Sequence, residues 1–313
     1  MKPAIGIASG DPAGIGPEIA VKAALDPAVL EICRPVLVGD PEVFRLHACG
    51  IENIEVLEVK QARPQLGKIL PEHGRAALAA AEAAIRAAMA GRFEAVVAAP
   101  HTEAAIHAAG IEFDGYPSFV ARVAGLPPED GILMLCFTYE HREIRIPHVT
   151  LHTSVSHALA SITRERILKT LKAADAALKK MGIENPKIAV GGVNPHAGEH
   201  GAFGREEIEI VEPALAEARA LGMEVTGPIG ADTLLQREGY DAYMVMLHDQ
   251  GHVAAKLLAP QRVAGLTIGT PVLFSSVAHG SALDIAGHGR AQHGAMVEAI
   301  TRLVGRRRRV PAT

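Results

Sequence analysis

Apolar residues along this chain come in short unbroken runs, separated by longer stretches where they recur every three or four positions. The short runs, at residues 3–9, 35–39, 95–99, 132–136, 144–151, 188–193 and 242–247, read as buried strands. The longer stretches, at 18–25, 74–90, 164–181 and 206–221, predict helices. Gly182 and Gly222 stand where C-terminal caps belong, and Pro213 inside the last stretch marks a fresh helix start. Residues 132–138 followed by 141–150 predict an antiparallel hairpin through Tyr139-Glu140, so the sheet is expected to be mixed. No internal repeat or low-complexity linker breaks the alternation, and the fold class predicted is α/β.

Composition narrows this. With 313 residues, 49% of them hydrophobic, the chain can bury a large core and is expected to form two lobes. Aromatic content of 4% with no Trp, alongside abundant Ala and Gly, suits closely packed helices and glycine-rich strand-to-helix turns more than a β-sandwich. A net charge of −4 argues against a nucleic-acid partner. No apolar stretch is long enough to span a bilayer, and the N-terminus enters a strand-like run with no signal-peptide core. The three cysteines, Cys33, Cys49 and Cys136, have neither disulfide-framework nor zinc spacing. A cytoplasmic enzyme acting on a small molecule is the expectation. The four arginines Arg306–Arg309 read as a solvated tail before they read as an anion-binding patch.

Among 15 histidines, three closely follow or end a buried run: His152, His196 and His248. Ligands collect beyond the carboxyl ends of strands in open α/β sheets. Three imidazoles delivered there can hold a borderline divalent metal and leave positions open for substrate. Each histidine singly reads equally well as a strand cap. His248 and His252 are also spaced as in an H-E-x-x-H zinc hydrolase, but Gly251 is expected to interrupt the helix that motif needs.

Asp232 and Asp249 fall in Gly-flanked turns, and Lys256 lies a few residues beyond His248. Alcohol oxidation needs a base for the hydroxyl proton and an electrophile for the developing alkoxide. A carboxylate or lysine supplies the first and a metal the second. Asp232 alone equally suits a helix cap. No G-x-G-x-x-G or Walker A motif occurs. The turn Ser9-Gly10-Asp11-Pro12-Ala13-Gly14-Ile15-Gly16 is glycine-rich, and close strand–helix packing explains Gly14 and Gly16 better than phosphate binding. The segment His279-Gly280-Ser281-Ala282-Leu283-Asp284-Ile285-Ala286-Gly287 is more informative. Its small residues admit a flat adenosine, and Asp284 can bond ribose hydroxyls while disfavouring a 2′-phosphate, which points to NAD over NADP.

That segment resembles the cofactor loop of the isocitrate and isopropylmalate dehydrogenase superfamily. Together with Gly10-Asp11-Pro12-Ala13-Gly14-Ile15-Gly16-Pro17-Glu18, Asn194-Pro195-His196-Ala197-Gly198-Glu199, Gly230-Ala231-Asp232-Thr233 and His248-Asp249-Gln250-Gly251, it resembles the 4-hydroxythreonine-4-phosphate dehydrogenase family over essentially the whole chain. The resemblance implies a homodimer of two-lobed α/β subunits with a mixed sheet, the active site in the cleft between lobes near the dimer interface. Residues 1–115 plus 272–313 would form the cofactor-side lobe, and 116–271 the substrate, metal and dimerisation lobe. It implies metal ligands His152, His196 and His248, with Asp232, Asp249 and Lys256 as catalytic candidates. The cofactor contacts would be His279, Gly280, Ser281, Ala282, Asp284 and Ile285. The implied chemistry is hydride transfer to NAD, then metal-assisted decarboxylation of a β-keto acid; zinc leads cobalt, nickel, manganese and magnesium as the ion.

The substrate end departs from that family. Where its phosphate-binding members carry Gly-His-Thr-Glu, this chain has Gly115-Tyr116-Pro117-Ser118, and their later Asn and Arg fall at Gly265 and Phe274. A buried dianion needs paired cations and hydrogen bonds, and a phenol, a proline, a glycine and a phenyl ring supply no cation. Residues 100–118 are instead similar to terephthalate cis-dihydrodiol dehydrogenases, whose ring diols carry carboxylates and no phosphate. Tyr116, Pro117 and Phe274 are then candidates for the walls of a flat ring site, or simply for core filling. The competing expectations are 4-hydroxythreonine-4-phosphate dehydrogenase and, from another class, a metal-dependent hydrolase.

Overall fold

The computed structural model describes residues 2–260 and 262–304; the Arg306–Arg309 tail lies outside them. Among the described residues there are eleven strands: β1 Ala4–Ala8, β2 Arg34–Gly39, β3 Glu55–Glu58, β4 Ala95–Ala98, β5 Ile132–Tyr139, β6 Arg142–Pro147, β7 Lys187–Gly191, β8 Glu224–Ile229, β9 Ala242–Met244, β10 Ala264–Ile268 and β11 Phe274–Val277. The helices are α1 Gly16–Ala24, α2 Pro27–Ile32, α3 Pro41–His47, α4 Pro71–Met89, α5 Glu103–Ala108, α6 Tyr116–Val123, α7 Val155–Ser161, α8 Arg164–Lys180, α9 Glu212–Ala220, α10 Ala231–Leu234, α11 His248–Leu258 and α12 Gly294–Val304. No helix among them is long and apolar enough to cross a membrane.

Local chemistry sets many of these boundaries. Asp26 and Asp40 cap α2 and α3, accepting the amides of Ala28 and Glu42 at 2.9 and 2.8 Å, with Pro27 and Pro41 in the first turns. The β5–β6 hairpin is present in antiparallel register, Tyr139 opposite Arg142, and turns through Glu140 and His141 with φ of 45° and 65°. Both centre residues in the left-handed region is the two-residue geometry that matches strand twist. Pro213 does sit in the first turn of a helix, α9, but residues 207–211 before it wind as a π-turn.

The chain divides into two compact units, Met1–Gly131 with Thr270–Thr313, and Ile132–Gly269. In the first unit, strands run parallel in the order β3-β2-β1-β4-β11. Val36, Val38, Val96 and Ala98 on this sheet pack on Ala80, Ala81, Ala84 and Ile85 of α4, where the alanines let the helix lie close. The segment 116–131, expected in the other lobe, belongs here because α6 buries Tyr116 and Val120 in the same core as Phe274.

The second unit holds antiparallel β10-β5-β6 and parallel β8-β7-β9. Leu135, Phe137, Ile144 and Ile146 pack against Leu234, Tyr243, Val245 and Ala255. The run 144–151, expected as one strand, leaves β6 at Pro147, and its next residues lie parallel to 245–246. Parallel and antiparallel pairs coexist, giving the mixed α/β fold expected.

Candidate active site

The second unit delivers two of the three expected imidazoles to one place. Val149 N donates to Val245 O at 2.9 Å, Thr150 N to Met246 O at 3.2 Å, and Thr150 Oγ1 to the same oxygen at 2.7 Å. These bonds bring His152 and His248, each a few residues further on, to the same edge. Their ring centroids lie 5.6 Å apart. Both line a pocket of about 320 Å³ with Thr150, Val155, Ala158, Leu247 and Asp249.

His248 opens α11. Gln250 holds that helix start, its Oε1 accepting Met246 N at 2.9 Å and Leu247 N at 3.0 Å, while its Nε2 donates to Gly192 O at 3.1 Å. His248 Nδ1 faces Asp249 Oδ1 at 2.6 Å, which leaves Nε2 as the free ring nitrogen. A carboxylate in that position fixes the tautomer and raises ligand basicity. Lys256 lies exposed on the same helix, two turns on.

The helix corrects one expectation, because α11 runs through Gly251 without interruption. His248 and His252 do share a face, yet their rings stack at 3.8 Å and 9°. Parallel rings cannot aim both lone pairs at one ion, so the H-E-x-x-H reading fails on geometry rather than on helix continuity. His252 is drawn down to about 4, first by burial and next by His248. His148, 1% exposed and 4.9 Å from His252, is drawn down to about 3 for the same kinds of reason.

His196 is held differently. Five consecutive residues, His196 to His200, have φ of 52°, 53°, 78°, 44° and 56°, a left-handed turn in which only Gly198 is at ease. Glu207, 2% exposed, clamps its entry: Oε1 accepts Val193 N at 2.7 Å and Asn194 N at 2.8 Å, and Oε2 accepts Asn194 Nδ2 at 2.9 Å. The Gly230–Asp232 turn lies alongside, a Cβ at Gly230 falling 3.4 Å from His196 Cα. Asp232 is exposed inside α10 rather than at its cap, which is Gly230.

The donor chemistry suits a divalent ion in part. Two imidazoles sharing a tetrahedral ion have ring centres about 5 Å apart, given metal–nitrogen bonds of about 2.0 Å, and His152 and His248 come close to that. Among the described residues, however, no three His, Cys, Asp or Glu side chains of the single chain gather around one point. His196 is not brought to the other two within one chain.

In the first unit, the expected cofactor segment forms a turn. His279 Nδ1 lies 3.1 Å from Gly280 O, Ala282 adopts φ 40°, and residues Leu283–Ile285 make one 3-10 turn that leaves Asp284 exposed. A Cβ on Gly280 would meet nothing within 4 Å, so the face beside it is open to a ligand.

Tyr116, Pro117 and Phe274 are corrected. Tyr116 is 4% and Phe274 0% exposed, their rings 4.8 Å apart, and Pro117 is buried beside them. They pack into the core of the first unit. Residues that sequence reasoning passed over are Glu207, which reads as one more acid on a helical face, and Thr102, whose hydroxyl reaches both Asp11 and Ser281.

The fold is the one found in isocitrate dehydrogenase from Methylococcus capsulatus, at a TM-score of 0.51 and 17% identity. Residues 31–303 match the family model described as pyridoxal phosphate biosynthetic protein PdxA, and the chain belongs to that family. It is 41% identical over 307 residues to 1,2-dihydroxy-3,5-cyclohexadiene-1,4-dicarboxylate dehydrogenase of Comamonas sp, covering 96% of each chain. It is 38% identical to a putative D-threonate 4-phosphate dehydrogenase of Symbiobacterium thermophilum, over 96% of this chain and 95% of the other. Among solved structures, 4-hydroxythreonine-4-phosphate dehydrogenase from Klebsiella pneumoniae superposes with a TM-score of 0.83 at 34% identity, covering 96% of this chain and 98% of that one. Terephthalate 1,2-cis-dihydrodiol dehydrogenase from Burkholderia xenovorans gives 0.75 at 42% identity, covering 97% and 98%.

Proposed function

We propose that this chain is an NAD- and divalent-metal-dependent dehydrogenase that oxidises the carbinol beside a carboxylate-bearing carbon of an unphosphorylated ring diol, with loss of CO2. The observation that carries the substrate class is the apolar burial of Tyr116, Pro117 and Phe274. At those positions the phosphate-binding relatives are expected to place polar contacts, and a dianion has no partner there. The similarity to the Comamonas diol dicarboxylate enzyme supports the same reading.

In this mechanism His152, His196 and His248 would hold the ion. When bound, a divalent metal supplies Lewis-acid stabilisation of the oxygen undergoing oxidation and of the enolate left after decarboxylation. Asp249 keeps His248 in the tautomer that presents Nε2. Asp232 or Lys256 would take the hydroxyl proton; NAD, when bound, would supply the hydride acceptor for the carbinol carbon, and loss of CO2 from the β-keto acid would give a catechol. Asp284 would receive the adenosine ribose hydroxyls and disfavour a 2′-phosphate. Zinc suits the imidazole set best, ahead of cobalt, nickel, manganese and magnesium.

A second copy of the chain is part of the proposal. Val155 and Leu159 on α7, and Val253 and Leu257 on α11, are 70%, 48%, 55% and 76% exposed. Each pair is spaced i, i+4 on a helix that starts at or near the two imidazoles, and such faces favour burial against a partner. A homodimer would also supply a neighbour to complete a ligand set that one chain leaves partial. Cys33, Cys49 and Cys136 form no disulfide among the described residues, which accords with a cytoplasmic setting.

Steady-state NADH formation tests the substrate. Turnover is expected with the terephthalate cis-dihydrodiol and not with 4-hydroxythreonine 4-phosphate or D-threonate 4-phosphate. The phosphorylated alternatives remain the second reading, favoured by the names of the Klebsiella and Symbiobacterium relatives. Strong turnover of either would overturn the diol assignment. Chelation should abolish oxidation, and a His196→Ala protein that kept both its metal and its rate would refute the ligand set.

A further inference from the structure

The segment 279–291 is tied down at both ends by residues outside it. At its start, Ser281 O accepts Ile15 N at 2.8 Å and Ser281 Oγ lies 3.0 Å from Thr102 Oγ1. Thr102 Oγ1 in turn donates to Asp11 Oδ2, and Asp11, 1% exposed, accepts Ala13 N with its other oxygen at 2.9 Å. A threonine has one hydroxyl proton. Once that proton goes to the carboxylate, Ser281 must donate in the 3.0 Å contact, and the chain runs Ser281 to Thr102 to Asp11.

At its far end, Glu18, 0% exposed, accepts Ala291 N at 2.8 Å, and Lys22 donates to Gly289 O and Ala291 O at 3.0 Å each while paired to Glu18 at 2.6 Å. Between the two anchors sits Ala282 at φ 40°, a left-handed alanine. Such a residue persists only where its surroundings over-determine it. Gly14 belongs to the same arrangement: a Cβ there would lie 2.5 Å from Ser281 O, so its lack of a side chain serves this loop rather than strand–helix packing.

We propose that Asp11, Thr102, Glu18 and Lys22 are positioning residues for the dinucleotide, holding 281–291 in the one shape that presents Asp284 to the adenosine ribose. This rests on the reading of that segment as the cofactor loop. None of the four needs to touch NAD. They fix the backbone that does, so binding draws on order already present.

The test uses the full-length enzyme. Thr102→Val keeps the shape of the side chain and removes both hydroxyl links. NADH affinity, read by fluorescence titration, is expected to fall about ten-fold, as for a lost hydrogen bond that leaves a buried carboxylate oxygen unmet. KM for NAD should rise by the same factor while kcat at saturating NAD stays within about two-fold, because a positioning change of this kind weakens ground and transition states together. Thr102→Ser should recover wild-type affinity. Hydrogen exchange should accelerate in peptides covering 281–291 and nowhere else. Lys22→Met, at a partly exposed position, examines the far anchor and should speed exchange at 289–291.

If Thr102→Val and Lys22→Met both bind NADH as the wild type does, with exchange in 281–291 unaltered, the proposal is wrong. Asp284→Ala separates it from its premise. Wild-type NADH affinity in that variant would show that the loop is not the cofactor site, and the proposal would fall with it. Weakened binding in Asp284→Ala beside intact binding in Thr102→Val would remove the relay alone.

Discussion

Glu207 grips Asn194 twice, its Oε1 on the backbone amide at 2.8 Å and its Oε2 on the side-chain amide at 2.9 Å. The same carboxylate takes Val193 N, so two backbone amides at the end of β7 depend on it, while Asn194 Nδ2 also donates to Glu206 Oε2 at 2.6 Å. The left-handed turn that carries His196 begins just beyond Asn194, and left-handed L-residues cost about 1–2 kcal/mol each. Glu207 also opens the π-turn that leads into α9, a feature that recurs at functional sites. Replacing it by Ala strands the donors and is expected to cost about 2–4 kcal/mol in urea denaturation. Glu207→Gln, which keeps an acceptor, should cost clearly less. Equal losses in the two variants would mean that the carboxylate's paired hydrogen bonds are not what holds the turn.

Tyr116 offers a test of core against substrate wall. Its hydroxyl is buried with no hydrogen-bond partner among the described residues, and burial pushes the phenol pKa up. An unmet buried hydroxyl costs about 1 kcal/mol or more, so Tyr116→Phe is expected to leave thermal stability unchanged or raise it, with kcat/KM unaltered. A ten-fold or larger drop in kcat/KM would put the phenol on the substrate.

The parts of this molecule legible in the sequence are those whose cause is local. The 17-residue α8 declares itself by periodicity and by the closing Gly182, and the β5–β6 hairpin by two apolar runs around a short polar turn. Strands β10 and β11 are not legible, because Ala264-Gly265-Leu266-Thr267-Ile268 and Phe274-Ser275-Ser276-Val277 carry Gly, Thr and Ser whose burial only the neighbouring strands make possible. His152 and His248 are readable as residues that come just after buried runs. The turn at His196 is not, since nothing in Pro195-His196-Ala197-Gly198-Glu199-His200 except Gly198 signals five positive φ angles; a distant acid imposes them. Tyr116 and Phe274 fit a ring wall and a core equally well by residue type, and only their packing decides.

Acid should destabilise this fold well above the carboxylate range. Burial lowers the pKa of His47 and His101 and holds His148 at about 3. The unfolded chain takes up these protons near pH 6.5 and the native state does not, so below that pH the unfolded state binds more protons and stability falls. Each histidine that stays neutral contributes a slope of about 1.4 kcal/mol per pH unit. His148 alone then costs about 2 kcal/mol between pH 6.5 and 5. Urea denaturation at pH 7.5, 6 and 5, with chelator present throughout, measures this before most carboxylates titrate. A stability that is flat over that range would mean these imidazoles are protonated in the native state.

Gly251 sets two effects of opposite sign against each other. It lies in the first turn of α11, where alanine is the better helix former by about 1 kcal/mol. Yet a Cβ at this position would fall 2.3 Å from His148 Nε2, 2.8 Å from its Cε1 and 3.0 Å from Ile146 Cγ2. His148 is buried, so either its ring or the helix must move; overpacking of this kind costs about 1–3 kcal/mol. The helix is the more exposed of the two and is expected to shift, carrying His248 with it. Gly251→Ala should therefore lower the urea midpoint at unchanged m-value, despite its better propensity, and weaken metal retention at the same time. A raised midpoint would show that propensity prevails and that α11 does not rest on His148.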